Sequence, residues 1–380
     1  MLPRSQGARL QGHSRALALE IAAEARAEWG FASDIIARSF RAHRELPSGD
    51  RRKISETVYG LIRMDRRLDA ILEELGGRSA KELSPAARDE LKLVIYEVRD
   101  GLPPDAAAAE SKRLLGVEVE LGRALGDDAG LGRRTGLERE AVRLSVPSWL
   151  LETLTNDFGA DGAASLVEAM NVRAPMALRV NTARISREAL AARLAEEHVI
   201  AKPTTLAPAG LVLETRVNAF ALTAFQEGLF EVMDEGSQVV AELVAPPPGG
   251  RVVDACAGAG GKTLAIGASM DGKGRLLALD TDGKKLEELR RRARRAGLTN
   301  VTARPVTDEG RTMPDEARPG GWDRVLVDAP CSGLGTLRRN PEARWSLTAD
   351  AVRGFPARHL ALMLTYAPLV AVGGRLIYAT

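Results

Sequence analysis

A chain of 380 residues is longer than one ordinary domain, so two or three domains are expected. Its composition, 45% hydrophobic and 27% charged with a net charge of +2, is typical of a globular protein and excludes nucleic-acid binding through overall basicity. Two cysteines exclude a disulfide framework, and no apolar run reaches the ~18 residues of a membrane span. We therefore expect a cytoplasmic protein without a membrane segment.

The first part of the chain has the apolar spacing of helices. Ile54, Val58, Leu61 and Ile62 recur at i, i+4, i+7 and i+8, a helical stripe. Several such segments without strand signals predict an all-α domain over residues 1–140. Its last part, 117–140, is rich in Gly, Asp and Arg and is predicted to be a linker. The arginines of this domain either contact phosphates or form a solvated face.

Strands begin in the middle of the chain. A strand at 177–181, a helix at 187–197 and a strand at 211–214 predict a small α+β unit over 141–235. From residue 236 onward, apolar strands alternate with helices, which predicts a parallel sheet with helices on both faces. This Rossmann-like α/β domain covers 236–380, and its predicted strands lie at 251–255, 276–279, 301–304, 325–327 and 375–378.

A glycine-rich loop, residues 256–263, follows the first of these strands. It does not fit a P-loop, because Cys256 stands where the first glycine is needed, nor a strict dinucleotide motif, because Thr263 stands at the third glycine. Asp280 ends the second strand, 22 positions after Gly258, the spacing at which a carboxylate reaches ribose hydroxyls. Loop and acid together favour nucleoside binding over the alternative that Asp280 only caps a helix. Asp308, or Glu309, is predicted to receive the amino group of the base.

The fourth strand ends in Asp328-Ala-Pro-Cys331-Ser-Gly333. Ligands of open α/β sheets collect at the carboxyl ends of the strands, so Asp328 and Cys331 lie where chemistry takes place. A thiol there is a nucleophile or an acid/base when its environment lowers its pKa; otherwise it is a buried, inert cysteine.

Four stretches form a specific set of motifs: Asp254-Ala255-Cys256-Ala257, Gly260-Gly261-Lys262-Thr263, Asp328 to Gly333, and Arg338-Arg339-Asn340-Pro341 with Trp345. In these motifs, residues 226–380 resemble the RNA 5-methylcytosine methyltransferases of the NOL/NOP/Sun family. The family usually has Ala-Pro where this chain has Gly258-Ala259, a change that keeps the loop small. The helical first part is similar to the family's NusB-like RNA-binding domain, and 145–235 to its small, RRM-like RNA-binding unit.

The resemblance implies a monomeric enzyme, without a metal, that transfers a methyl group from S-adenosylmethionine to C5 of a cytosine in RNA, expected to be 16S ribosomal RNA. Because C5 is a poor nucleophile, a thiolate first adds to C6, and a second group later helps to remove the C5 proton. By the resemblance, Cys331 is the releasing cysteine. The resemblance also implies catalytic roles for Cys331, Asp328 and Lys262; cofactor binding by Cys256, Ala257, Gly258, Ala259, Gly260, Gly261, Lys262, Asp280, Asp308 and Asp328; and RNA contacts by Arg338, Arg339, Arg344, Arg179 and Asn181.

The attacking cysteine of this family follows the fifth strand in a Thr-Cys-Ser motif, and this chain ends one residue earlier, at Thr380. We therefore expect that the gene continues or that the chain is a fragment. We also expect the sheet to lack about two final strands, which would bare an edge and weaken stability or cofactor binding. Two alternatives stay open: a DNA cytosine-C5 methyltransferase in which Cys331 attacks, and an RNA-binding scaffold without catalysis.

Overall fold

The computed structural model describes residues 9–116, 118–132, 134–307 and 312–380. They form two compact units: the described residues up to Ala174 with Ser332–Arg353, and Pro175–Cys331 with Gly354–Thr380. These units do not coincide with the three predicted domains, whose boundaries at 140 and 235 stay predictions. Across the described ranges, no helix has the length and apolarity needed to cross a membrane.

The first unit is helical, as the apolar spacing predicts. It has two main cores. One contains Ile54, Val58 and Ile62, and the other contains Leu61 with residues of helices further along the chain. Ser84 caps a helix by accepting a hydrogen bond from the Ala87 amide at 3.2 Å. The helices are α1 (Gly12–Glu28), α2 (Ala32–Ala42), α3 (Ser48–Arg63), α4 (Asp65–Lys81), α5 (Pro85–Arg99), α6 (Pro104–Leu115), α7 (Gly136–Leu144), α8 (Ser148–Met170) and, after a long excursion of the chain, α14 (Ala343–Ser346).

The prediction that residues 117–140 form a linker is wrong. A 3₁₀ helix spans Leu121–Leu125, and α7 begins at Gly136. Leu121, Ala124 and Leu131 are buried in the helical cores. The glycine and charge content that suggested a linker belongs to the turns between these short segments, and the few apolar residues among them anchor the segment to the core.

The second unit begins with a small antiparallel sheet in the order β2-β3-β1-β4. Phe230 and Leu178 fill its core with residues of the neighbouring helix α9. The prediction of an α+β unit is confirmed. Its elements are β1 (Ala177–Val180), α9 (Arg187–Glu196), β2 (Ala201–Pro203), β3 (Gly210–Leu213), a 3₁₀ helix (Ala219–Ala221), α10 (Thr223–Gln226) and β4 (Phe230–Val232).

The second unit continues into a five-stranded parallel sheet in the order β7-β6-β5-β8-β9. The predicted alternation of strands and helices is confirmed. The strands of a parallel sheet are apolar because helices cover the sheet on both faces. β9 lies at an edge and exposes Val372. The elements are α11 (Glu235–Leu243), β5 (Arg251–Asp254), α12 (Gly261–Ser269), β6 (Arg275–Asp280), α13 (Gly283–Ala296), β7 (Val301–Pro305), β8 (Trp322–Asp328), α15 (Ala349–Tyr366), whose first residues belong to the first unit, a 3₁₀ helix (Ala367–Leu369) and β9 (Val370–Ala379).

Candidate active site

Three carboxylates end three neighbouring strands of the parallel sheet. Asp254 ends β5, Asp280 ends β6 and Asp328 ends β8, and β5 lies between the other two. Because parallel strands point the same way, these acids share the carboxyl edge of the sheet, where ligands of such folds bind. The predicted position of Asp280 and Asp328 at strand ends is confirmed.

The glycine loop turns sharply from β5 into α12. Gly260 has φ +89°, and a side chain there would meet Leu289 of α13 at 2.6 Å, so the position requires glycine. Gly258 also has a positive φ, +54°, but nothing lies within 4 Å of the place that a Cβ would occupy. The space beside Gly261 is open in the same way. The loop is therefore tight on its inner side and open on its outer side, where a ligand can approach the backbone.

The carboxylate of Asp280 is held by backbone amides. One oxygen accepts from the Gly258 amide and the other from the Asp282 amide, both at 2.8 Å. The residue that caps α13 is Asp282, whose side chain accepts from the Lys284 amide. The alternative that Asp280 is a plain helix cap is therefore wrong, and its carboxylate instead faces the glycine loop.

Asp254 is a site residue for which sequence reasoning predicted no role. Its side chain is completely buried, and one oxygen accepts from the Thr263 hydroxyl at 2.6 Å. Among the described residues the other oxygen has no hydrogen-bond partner. Burial, assisted by the negative charge of Asp328, raises the pKa of Asp254 from 3.8 to about 6. The only sequence signal for this role was an acid that ends a strand directly before a glycine loop.

We expect Asp254→Asn to remove a pH dependence of stability. The folded protein holds the Asp254 proton more tightly than the unfolded chain, so the free energy of unfolding falls as pH rises from about 4 to about 6 and levels off above. The loss is roughly 3 kcal/mol for a shift of this size. An asparagine still accepts from Thr263 but does not titrate. Denaturant unfolding at pH 4 to 7 should show the fall in the unmodified protein and in Asp271→Asn, an exposed control; an equal fall in Asp254→Asn would contradict the assignment.

Lys262 and Asp328 form an ion pair between the start of α12 and the end of β8. The Lys262 ammonium lies 2.6 Å from one carboxylate oxygen of Asp328, and both side chains are partly exposed. The pair ties the glycine loop to the segment that carries Cys331. The second oxygen of Asp328 is not used by this ion pair.

The two thiols differ in environment. Cys331 is exposed, three positions after Asp328. Cys256 is half-buried, and desolvation, with the nearby charges of Asp254 and Asp280, raises the pKa of its thiol to about 12. A thiol with so high a pKa stays protonated at neutral pH and is a poor nucleophile. Cys331 is therefore the accessible thiol of this site.

A second feature that sequence reasoning missed supports the Cys331 segment. His359 of α15 contacts the Pro330 carbonyl through Nε2 at 2.9 Å, and its Nδ1 lies 2.7 Å from the Tyr378 hydroxyl. Nε2 can bond a carbonyl only as a donor, so in the neutral imidazole Nδ1 is the acceptor and the tyrosine hydroxyl donates to it. The chain of contacts thus fixes the backbone next to Cys331. No pattern in the sequence links these three distant residues.

The predicted RNA contacts of Arg179 and Asn181 are wrong, because both side chains are buried. Arg179 donates to the Val180 carbonyl, and Asn181 donates to the Gly228 and Ala296 carbonyls, both at 2.8 Å. They stabilise the small sheet and its junction with α13.

The arginines after the Cys331 segment have different environments within the first unit. Arg344 is fully buried and donates to the Ser145 carbonyl and to Asn171, so its predicted phosphate contact is also wrong. Arg338 donates to the Val172 and Arg173 carbonyls and stays partly exposed, as does Arg339. RNA binding by Arg338 and Arg339 stays a prediction. Asp308 and Glu309 lie outside the described residues.

Comparison with known proteins points to one family. Residues 241–380 match the family described as 16S rRNA methyltransferase RsmB/F, and residues 146–219 match the ferredoxin-like domain of RsmF/B-like methyltransferases. A probable ribosomal RNA small subunit methyltransferase B of Synechocystis is 33% identical over 364 residues, which cover 91% of this chain and 80% of that protein.

Solved structures share the fold. The crystal structure of PH0851 superposes with a TM-score of 0.75 at 25% identity, over 98% of this chain and 86% of that chain. A methyltransferase homolog protein from Pyrococcus horikoshii gives 0.56 at 26% identity, over 64% of this chain and 75% of that chain. Together with the Asp-Ala-Pro-Cys segment and the glycine loop, these matches confirm the predicted family: the chain belongs to the RsmB/F family of 16S rRNA methyltransferases.

Proposed function

We propose that this protein transfers a methyl group from S-adenosylmethionine to C5 of a cytosine in small-subunit ribosomal RNA. The observation that carries the proposal is the carboxyl edge of the sheet, where an open glycine loop, the acid Asp280 and the exposed thiol of Cys331 belong to adjacent strands. The similarity to the Synechocystis protein, a probable ribosomal RNA small subunit methyltransferase B, supports the substrate class.

The residues present fit S-adenosylmethionine. The open space outside Gly258 and Gly261 admits a ligand against the backbone, and the Asp280 carboxylate at the end of β6 suits ribose hydroxyls. When bound, the cofactor supplies an electrophilic methyl group. Lys262 and Asp328 hold the two sides of the site together.

Asp280→Asn should weaken S-adenosylmethionine binding by about 10- to 100-fold, because it replaces charge-assisted hydrogen bonds worth roughly 1.5–3 kcal/mol. Titration calorimetry checks this expectation. Asp282→Asn is the matched control, because it lies two residues away and asparagine also caps helices. Equal affinity of the Asp280 and Asp282 variants would show that Asp280 does not contact the cofactor.

The chemistry requires a thiolate to add to C6 and a second group to assist loss of the C5 proton. We assign the second role to Cys331, which His359 and Tyr378 position through the Pro330 carbonyl. The high pKa of Cys256 makes it unsuited to either role. By the family resemblance, we assign the attack on C6 to the cysteine of the Thr-Cys-Ser motif, whose threonine corresponds to Thr380.

The test is methyl transfer from labelled S-adenosylmethionine to cytosine in small-subunit ribosomal RNA. It compares residues 1–380 with the chain extended by whatever its gene encodes after Thr380, and analysis of the labelled nucleoside identifies the methylated atom. Methylation at C5 that requires a cysteine after Thr380 supports the proposal. C5 methylation by residues 1–380 alone would make Cys331 the nucleophile, and label at another atom would overturn the reaction.

A further inference from the structure

Two of the four histidines of this chain meet in the helical unit, to which none of the residues assigned to methyl transfer belongs. His13 lies in the first turn of α1, and His43 and Glu45 follow the end of α2. The Nε2 atom of His13 is 3.3 Å from Nδ1 of His43, which is 3.2 Å from a carboxylate oxygen of Glu45. That oxygen is 3.9 Å from Nε2 of His13.

These three atoms are all lone-pair donors to a metal when the imidazoles are neutral. Without a metal, a proton on Nδ1 of His43 can serve only one of its two close contacts at a time. The remaining lone pairs then face each other at close range. A cation at the centre would satisfy all three atoms together.

The spacing of the three atoms matches metal coordination. A triangle with sides of 3.3, 3.2 and 3.9 Å has a central point about 2.0 Å from every corner. Zinc lies about 2.0–2.1 Å from imidazole nitrogen and about 2.0–2.2 Å from carboxylate oxygen. The side chains of His13 and Glu45 are more than half exposed, so the site is open to an entering ion and to water as a further ligand.

We propose that His13, His43 and Glu45 form a binding site for a divalent transition metal such as Zn²⁺. Two imidazoles and one carboxylate are a ligand set typical of such ions rather than of Mg²⁺ or Ca²⁺, which prefer oxygen. The ion would connect the start of α1 to the segment after α2, thirty residues apart, and so stabilise the helical unit whenever it is bound.

The test is Zn²⁺ titration of the full chain by calorimetry, beside His13→Ala, His43→Ala and Glu45→Gln. His198→Ala is the matched control, because His198 is exposed and lies outside the cluster. We expect one ion bound with a dissociation constant on the order of 1 µM, unchanged in the control and weakened at least about 10-fold in each cluster variant. Far-UV circular dichroism verifies that the variants are folded.

Cobalt distinguishes this site from the two thiols. Co²⁺ bound by His13, His43 and Glu45 should give visible d–d bands without a thiolate charge-transfer band, and the d–d bands should be lost in His43→Ala. Absence of Zn²⁺ binding below roughly 100 µM would overturn the proposal. Equal Zn²⁺ affinity in the cluster variants would show that the ion binds elsewhere and would also overturn the proposal. A thiolate charge-transfer band on Co²⁺ would place the ion at a cysteine, with the same consequence.

Discussion

Replacing Cys331 by alanine is expected to trap a covalent RNA–protein adduct and to slow turnover by about 10²- to 10⁴-fold. The expectation applies to a chain that carries the second cysteine of the proposed two-cysteine mechanism. Attack at C6 survives the substitution, whereas removal of the C5 proton loses its assisting group. The adduct is measured as a denaturation-resistant shift of the protein band in the presence of RNA and S-adenosylmethionine.

The second thiol of the site, Cys256, provides the control. Cys256→Ala is expected to trap no adduct, because the raised pKa of that thiol keeps it out of both steps. Loss of activity in Cys331→Ala without any adduct would mean that Cys331 itself attacks, as in the DNA-type mechanism. Full activity of Cys331→Ala would remove it from the chemistry altogether.

The parts of the fold that depend on local pattern were predictable. The apolar runs of β5, β6 and β8 and their turn residues gave the parallel sheet, because a buried strand must be apolar and must end in a turn. The segment at 117–140 was misread, since local composition does not reveal that Leu121 and Leu131 reach the helical cores. Such burial depends on residues far away along the chain.

The candidate site likewise contains residues that were predictable from local pattern and residues that were not. Asp280 and Asp328 were predicted because strand ends are visible in the sequence, whereas Asp254 was noted only as part of a motif and was given no role, although burial raises its pKa to about 6. Arg179 and Asn181 were assigned to RNA by the family resemblance, and both side chains are buried in the structure. In the structure Asn181 joins the small sheet to α13 through the Ala296 carbonyl, a contact across 115 positions that no local pattern reveals.

The same junction contains a buried ion cluster around Glu231 of β4. Its carboxylate accepts from Arg292 at 3.0 Å and from Arg295, both on α13. Burial lowers the pKa of the neighbouring Arg179 to about 10, and the charge of Glu231 opposes this effect. Both arginines of α13 are partly buried against Glu231. Arg292 also donates to the Ala259 carbonyl at 2.7 Å, so the cluster supports the glycine loop.

Glu231→Ala should therefore cost about 3–5 kcal/mol of unfolding free energy, because it removes a buried carboxylate and leaves two partly buried guanidinium groups without it. It should also weaken S-adenosylmethionine binding, since Arg292 loses the partner that orients it toward Ala259. Glu288→Ala is the matched control: Glu288 pairs with Arg291 on the exposed face of the same helix, and its loss should cost about 1 kcal/mol or less. Denaturant unfolding and calorimetry measure the two effects. If the two variants lost equal stability, the Glu231 cluster would contribute no more than a surface pair. If Glu231→Ala lost stability but kept its cofactor affinity, the cluster would stabilise the junction without positioning the loop.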